Sequence, residues 1–133
     1  MSGERPIVLY DRDCGFCRWS LSKLLAWDHR GRLRPVALQD PEAERLLAGM
    51  SEQERMASWH LVGPGGGIRS AGAAFAPMLR ELPGGAVPAR LAERLPGPVD
   101  RAYRWVAGHR SPIGKGLPES AKRRADRRLA SRA

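Results

Sequence analysis

The chain has 133 residues, 42% of them hydrophobic, which is enough for one globular domain whose core does not depend on disulfide bonds. Its net charge is +9, and more than half of that excess follows residue 110, where seven Lys and Arg residues face two acidic ones. No apolar run has the length of a membrane span or the pattern of a secretory leader, so we expect a cytoplasmic protein whose thiols stay reduced.

The first half of the chain predicts a parallel β-α-β unit followed by a second helix. The β-branched run Ile7–Tyr10 is typical of a strand buried on both faces, and residues 15–30 have the apolar spacing of a helix. RLRPVALQD predicts the next strand, at an edge of the sheet because Pro35 cannot donate a ladder hydrogen bond. Asp40 and Pro41 then suit the N-cap and the first position of a helix.

The second half predicts a β-hairpin and three more helices. SWHLV and IRS are strand-like segments on either side of the turn GPGGG. AGAAFAPMLREL predicts a helix that begins late or kinks at Pro77, and VPARLAERL and VDRAYRWVAGHR predict two more. ESAKRRADRRLASRA has few apolar residues, so we expect a frayed helix or a disordered segment there. The predicted organisation is one domain over residues 1–110 and a basic, flexible tail over residues 111–133.

Cys14 and Cys17 are the only cysteines, and they stand where the first strand gives way to the first helix. The order β-α-β-α-β-β-α with a CxxC pair at that point predicts an α/β, thioredoxin-like fold with additional C-terminal helices. Positions i and i+3 of a helix are neighbours, so the two sulfurs can reach disulfide distance. The helix dipole favours a thiolate at the N-terminal end. This makes Cys14 the predicted nucleophile and Cys17, one turn further in, the resolving thiol.

Four charged residues flank the cysteine pair. Asp11 and Asp13 oppose a thiolate on Cys14, whereas Arg12 and Arg18 favour it. Either aspartate could accept a proton from a thiol during exchange. The structural alternative makes Asp11 a turn former and Asp13 the N-cap of the helix. For Asp13 we favour the cap, because Asp is a preferred N-cap residue.

Two other functions fit a CxxC pair. A closed zinc site needs four ligands and the pair supplies two, so a zinc- or iron-binding domain would have to find others or pool two pairs in a dimer. His29, His60 and His109 lack ligand spacing near the pair; we expect His60 to be a half-buried structural residue and His109 a capping cation. The third possibility is a non-enzymatic interaction module. We expect no bound cofactor and no specific nucleic-acid partner, and the oligomeric state stays open.

Four segments, in this order, resemble the DCC family of predicted thiol-disulfide oxidoreductases: LYDRDCGFC, GRLRPVALQD, WHLVGPGGGIRSAGAAF and YRWVAGHR. The resemblance spans residues 6–110. It implies a thioredoxin-like fold, a dithiol–disulfide activity on a protein or small-molecule disulfide or thiol, and Asp11, Cys14 and Cys17 as site residues. The chain departs from the pattern at Arg12, where many relatives have Gly. It also lacks the proline that thioredoxins carry before the third strand, since that stretch reads MASWH.

Overall fold

Four strands form one mixed sheet: β1 (Ile7–Tyr10), β2 (Arg34–Ala37), β3 (His60–Val62) and β4 (Ile68–Ser70), in the spatial order β2-β1-β3-β4. β1 runs parallel to β2 and antiparallel to β3, and β4 runs antiparallel to β3. The structure is a computed structural model that describes residues 5–63 and 65–132. Its architecture confirms the predicted α/β class.

Eight α-helices surround this sheet within the residues described: α1 (Gly15–Trp27), α2 (Pro41–Leu46), α3 (Glu52–Ala57), α4 (Phe75–Arg80), α5 (Ala86–Arg94), α6 (Pro96–Gly108), α7 (Arg110–Lys115) and α8 (Glu119–Arg132). A 3₁₀ turn, Ala71–Ala74, precedes α4. Of the two predictions for the segment around Pro77, a kinked helix or one that begins late, the structure confirms the late beginning. Across those same residues, no helix is both long enough and apolar enough to cross a membrane.

The two faces of the sheet carry separate cores, because neighbouring residues of a strand point to opposite sides. Val8 faces the first core, with side chains of α1, α4 and α8: Leu21, Leu25, Met78 and Leu129. Leu9 faces the second, with side chains of β2 and of the α2 and α3 region: Val36, Ala43, Leu47 and Met56. β1 is therefore buried on both faces, as predicted, and it holds the start of α1 at the carboxyl end of the parallel pair β1 and β2.

Pro35 and Asp40 lie at the predicted positions in these elements, but only Pro35 acts there as predicted. Pro35 lies in β2, which is an edge strand, so its missing N–H leaves no ladder position empty. Asp40 stands at the N-cap position of α2 with Pro41 after it, but its side chain makes no capping hydrogen bond. It is paired instead with Arg12, at 3.3 Å between Oδ1 and Nη1.

The helix α1 ends three residues earlier than predicted, at a buried carboxylate. Asp28 is the C-cap and is fully buried. Its two oxygens accept the backbone N–H groups of Arg32 at 3.0 Å and Leu33 at 2.8 Å, which turns the chain toward β2. Gly31 follows with a φ of 65°, the left-handed conformation expected of a glycine after a helix.

The C-terminal segment departs from the expectation of a frayed or disordered tail. α8 packs along α1, with Ala125 and Leu129 buried. Arg132 donates to the Asp28 carboxylate at 3.1 Å and to the carbonyl of Leu25 at 2.9 Å. The segment is poor in apolar residues, yet two of them four positions apart form one buried stripe. Whether residues 1–110 fold without this helix stays a prediction.

Candidate active site

The sulfur of Cys14 caps the N-terminus of α1. Cys14 is the N-cap residue, with the extended backbone angles φ −99° and ψ 111°, and its Sγ accepts the backbone N–H of Cys17 at 3.3 Å. The N–H of Cys14 in turn donates to the carbonyl of Asp11 at 3.2 Å. The prediction that Asp13 is the N-cap is therefore wrong; its side chain is exposed and the cysteine takes that position.

Asp11 holds the turn that leads into the cysteine pair. Its Oδ1 accepts the N–H of Asp13 at 2.9 Å and the side-chain amide of Gln39 at 2.8 Å. Gln39 also accepts the N–H of Arg12 at 3.0 Å, so it braces the turn from the segment that follows β2. The turn-forming role of Asp11 is confirmed. Sequence reasoning missed Gln39, although the carboxyl ends of parallel neighbours β1 and β2 had to lie side by side.

Cys17 lies one turn further along α1 and is a neutral thiol. Burial first, and then the adjacent Cys14 sulfur as hydrogen-bond and charge partner, together raise its pKa to about 12. The Arg110 guanidinium acts in the opposite sense, by less. Both cysteines are free and half-buried. The two sulfurs therefore lie in different environments. The Cys14 sulfur lies at a helix end, and the Cys17 sulfur lies against apolar side chains.

Arg110 reaches the pair from the first residue of α7. Its Nη1 lies 3.8 Å from the Sγ of Cys17, and its Nη2 lies 3.8 Å from Oδ2 of Asp11. α7 can approach α1 this closely because position 114 is a glycine: a Cβ there would lie 3.1 Å from the backbone nitrogen of Phe16. Arg110 closes the segment YRWVAGHR, but sequence reasoning did not assign it to the site, since the contact spans 93 positions.

A cavity of about 480 Å³ opens beside Cys17, within the size range of ligand sites. Cys17 contributes to its wall and Cys14 does not. The lining is mostly apolar and aromatic, and among the described residues that form it Asp11 and Arg110 are the charged ones. Three of the rings pack on one another, with centroid separations of 4.9 to 5.9 Å: Trp59, Phe75 and Tyr103. This apolar lining is what desolvates the Cys17 thiol.

The other candidate residues lie away from the pair. His60 is more deeply buried than expected and structural, with Nδ1 2.6 Å from the Ser70 hydroxyl and Nε2 2.9 Å from the Arg55 carbonyl. His109 is at the C-terminal end of α6, where its Nδ1 lies 2.7 Å from the Trp105 carbonyl, as a capping residue would. In residues 5–63 and 65–132, no three His, Cys, Asp or Glu side chains are grouped so that they could hold a metal ion.

The family model of DCC1-like thiol-disulfide oxidoreductase matches residues 8–115. The chain belongs to the DCC1-like thiol-disulfide oxidoreductase family. The matched stretch runs from β1 to the end of α7. It thus contains the cysteine pair, Asp11, Gln39 and Arg110, and it stops before α8. Neither a comparison with curated proteins nor one with solved structures finds a match. The family resemblance predicted from the sequence is confirmed.

Proposed function

We propose that this protein is a thiol-disulfide oxidoreductase with a thioredoxin-like fold, in which Cys14 is the nucleophile and Cys17 the resolving thiol. The observation that carries the proposal is the difference between the environments of the two sulfurs. The Sγ of Cys14 accepts a backbone N–H at the start of a 13-residue helix, an arrangement that favours a thiolate. Burial keeps the Cys17 thiol protonated, with a pKa of about 12. Family membership and the β2-β1-β3-β4 order support the same reading.

The reaction proceeds in two exchanges. In the first, the Cys14 thiolate attacks one sulfur of the substrate disulfide; that bond breaks, a mixed disulfide forms and one substrate thiolate leaves. In the second, Cys17 loses its proton and attacks the Sγ of Cys14, so that the second substrate thiolate leaves and a Cys14–Cys17 disulfide remains. The substrate gains two electrons and two protons. A dithiol reductant restores the pair by the same steps, and run in reverse they oxidise a substrate dithiol.

Asp11 is the proposed proton acceptor for Cys17. Its carboxylate and the Cys17 sulfur both line the apolar cavity, and the Asp11 side chain is largely buried. A carboxylate in such a position can take the proton that the thiol must lose before it attacks. Protein or small-molecule disulfides are the proposed substrates. The cytoplasm, where thiols stay reduced, is the proposed compartment.

Replacing each cysteine in turn tests the mechanism. Cys14→Ser should abolish disulfide reduction, because a serine hydroxyl is not ionised near neutral pH. Cys17→Ser should still attack but stall as a covalent complex with its substrate, which dithiothreitol releases. Gels without reductant and mass spectrometry detect that complex. The reverse pattern would exchange the two roles. Full activity in both variants would defeat the proposal, and metal that is bound stoichiometrically and lost with either cysteine would favour the metal-binding alternative.

A further inference from the structure

The geometry points to Arg110 as a positioning residue for the second exchange, in which Cys17 resolves the mixed disulfide. The inference rests on the proposed function and deepens it. Arg110 touches the resolving sulfur and the proposed proton acceptor at once, at 3.8 Å from each. Its role is to hold the negative charge as that charge passes from the Asp11 carboxylate to the Cys17 sulfur.

The second exchange needs such a cation because its nucleophile forms in an apolar place. The Cys17 sulfur lies in the cavity wall, where water is largely replaced by aromatic and aliphatic side chains. A thiolate there loses hydration, which disfavours it strongly unless an opposite charge is close. Within residues 5–63 and 65–132, Arg110 is the one cation that lines this cavity. A guanidinium keeps its charge at any pH that the folded protein meets.

The two Nη groups of Arg110 lie beside the two positions that the negative charge occupies during the second exchange. Before the exchange, the carboxylate of Asp11 is negative and the thiol of Cys17 is neutral. When the proton passes from sulfur to carboxylate, the negative charge passes from carboxylate to sulfur. Nη2 faces the first site and Nη1 the second, so Arg110 stays beside the charge throughout. The thiolate then attacks the Sγ of Cys14, and the bond between that sulfur and the substrate breaks with its electron pair on the substrate sulfur.

The arginines that the sequence places beside Cys14 are engaged elsewhere. Arg12 pairs with Asp40 at 3.3 Å. Arg18 pairs with Asp126 of α8 at 3.2 Å and donates to the carbonyl of Arg12 at 3.1 Å. Neither contacts a sulfur in the hydrogen bonds and ion pairs of the described residues, whereas Arg110 does.

Three further titratable groups face this region. Tyr10 of β1 lines the same cavity as Cys17, and burial raises its pKa. The Tyr103 hydroxyl of α6 accepts the N–H of Trp59 at 3.0 Å, and burial raises its pKa. Lys122 of α8 lies against Gly15, with its Nζ 3.7 Å from a Glu119 oxygen. Its charge faces the start of α1. All three side chains are present in the parent, in the Arg110 variants and in the control, so a difference between their pH profiles follows from the change at Arg110.

The test separates the two exchanges in time. Reduced protein is mixed with a peptide disulfide and quenched with acid at successive times. Mass spectrometry then counts the reduced form, the mixed disulfide and the internal disulfide. Arg110→Gln should slow the second exchange about tenfold or more, the effect of one lost charge-assisted hydrogen bond, and the first exchange by less, because the guanidinium contacts Cys17 and acts on Cys14 only at a distance. Its second exchange should also accelerate as pH rises, more steeply than in the parent. Arg101→Gln, on the exposed side of α6, is the matched control.

Each outcome of this experiment either supports the role of Arg110 or overturns it. Arg110→Lys keeps one charge without the two Nη groups, so its second exchange should fall between those of the parent and Arg110→Gln. A folded Arg110→Gln with the parent's rates and pH profile overturns the inference. So does an equal slowing of both exchanges together with a lower melting temperature, which would mark a structural role. If Arg110→Gln does not fold, Arg110→Lys decides alone, and parental rates overturn the inference. A parent that forms no mixed disulfide defeats the proposed function itself.

Discussion

At the scale of single residues, the two carboxylate oxygens of Asp11 have different contacts and different roles. Oδ1 accepts hydrogen bonds from the Asp13 backbone and the Gln39 amide, which shape the turn before Cys14. Oδ2 faces Arg110. Asparagine keeps an acceptor oxygen for the first task and removes the charge that the second needs. The substitution therefore separates the structural role of Asp11, which the hydrogen bonds show, from its proposed role as proton acceptor.

We predict that Asp11→Asn slows the second exchange and changes its pH dependence. The Cys17 thiol has a pKa of about 12, so without a base its thiolate fraction rises about tenfold with each pH unit below that value. The resolution rate of Asp11→Asn should follow that rise, whereas the parent, with an internal base, should be much flatter. Acid-quenched time courses across neutral and alkaline pH measure both slopes.

Asp13→Asn is the control for that experiment, because it removes a neighbouring carboxylate that is exposed to solvent. Its time courses should match those of the parent. Identical pH profiles for Asp11→Asn and the parent would remove Asp11 from proton transfer and leave it the turn-forming role alone. A slower first exchange in Asp11→Asn would instead indicate that the turn had moved Cys14.

At the scale of elements, the position of α7 decides whether Arg110 reaches the thiols. This helix has six residues, too few to be stable alone, so its place depends on packing against α1. Gly114 makes that packing possible, since a Cβ would lie 3.1 Å from the Phe16 nitrogen and 3.5 Å from the Phe16 Cβ. Neither atom can turn away as the end of a flexible side chain could. An added methyl group must push the two helices apart.

We predict that Gly114→Ala slows the second exchange with little loss of stability. Alanine improves helix propensity by up to about 1 kcal/mol, which offsets part of the cost of the contact, while Arg110 moves away from the sulfur. Gly116→Ala is the matched control: Gly116 ends the same helix with φ −80°, and a Cβ there meets its nearest atom at an ordinary 3.5 Å. Quenched time courses and thermal melts of both variants check this. Equal resolution rates would show that α7 does not place Arg110.

The parts of the site that are formed by residues close together in the sequence were predictable from it. The run Ile7–Tyr10, the CxxC pair and the helical spacing after it are local signals, and Pro35 marks an edge strand through its missing N–H. The N-cap was assigned to Asp13 by residue preference, whereas the structure gives it to Cys14. The difference arises because the Oδ1 of Asp11 accepts the backbone N–H of Asp13 and the side-chain amide of Gln39, which follows β2. These hydrogen bonds place Asp13 in the turn, so that the helix begins after Cys14.

The contacts that sequence reasoning missed join distant segments. Arg110 meets Cys17 across 93 positions, and Arg132 meets Asp28 across 104. No periodicity within one helix reports such a pairing. For α8 the composition was misleading as well, since its many charges hide the fact that Ala125 and Leu129 suffice to bury one face.

At the scale of the whole molecule, α8 completes the first core and neutralises a buried charge. Leu129 belongs to the same cluster as Val8, Leu21 and Leu25. Arg132 contributes the cation for Asp28, whose carboxylate is fully buried and also accepts the backbone N–H groups of Arg32 and Leu33. Removing one partner of a buried ion pair is costly, because the remaining charge loses its compensation. The basic C-terminal segment therefore acts on stability through these two residues rather than through its net charge.

We predict that deleting residues 119–133 lowers stability sharply and that Leu129→Ala alone costs about 2–5 kcal/mol, the usual range for a buried leucine. Arg127→Ala, on the exposed face of α8, should change stability little. Urea unfolding of the three variants and the parent gives the free energies. Because α8 packs on α1 without touching either sulfur in the described contacts, folded Leu129→Ala should keep both exchange rates. An unfolding curve unchanged by the deletion would mean that residues 1–118 hold the core unaided and that residues 119–133 are, after all, a tail.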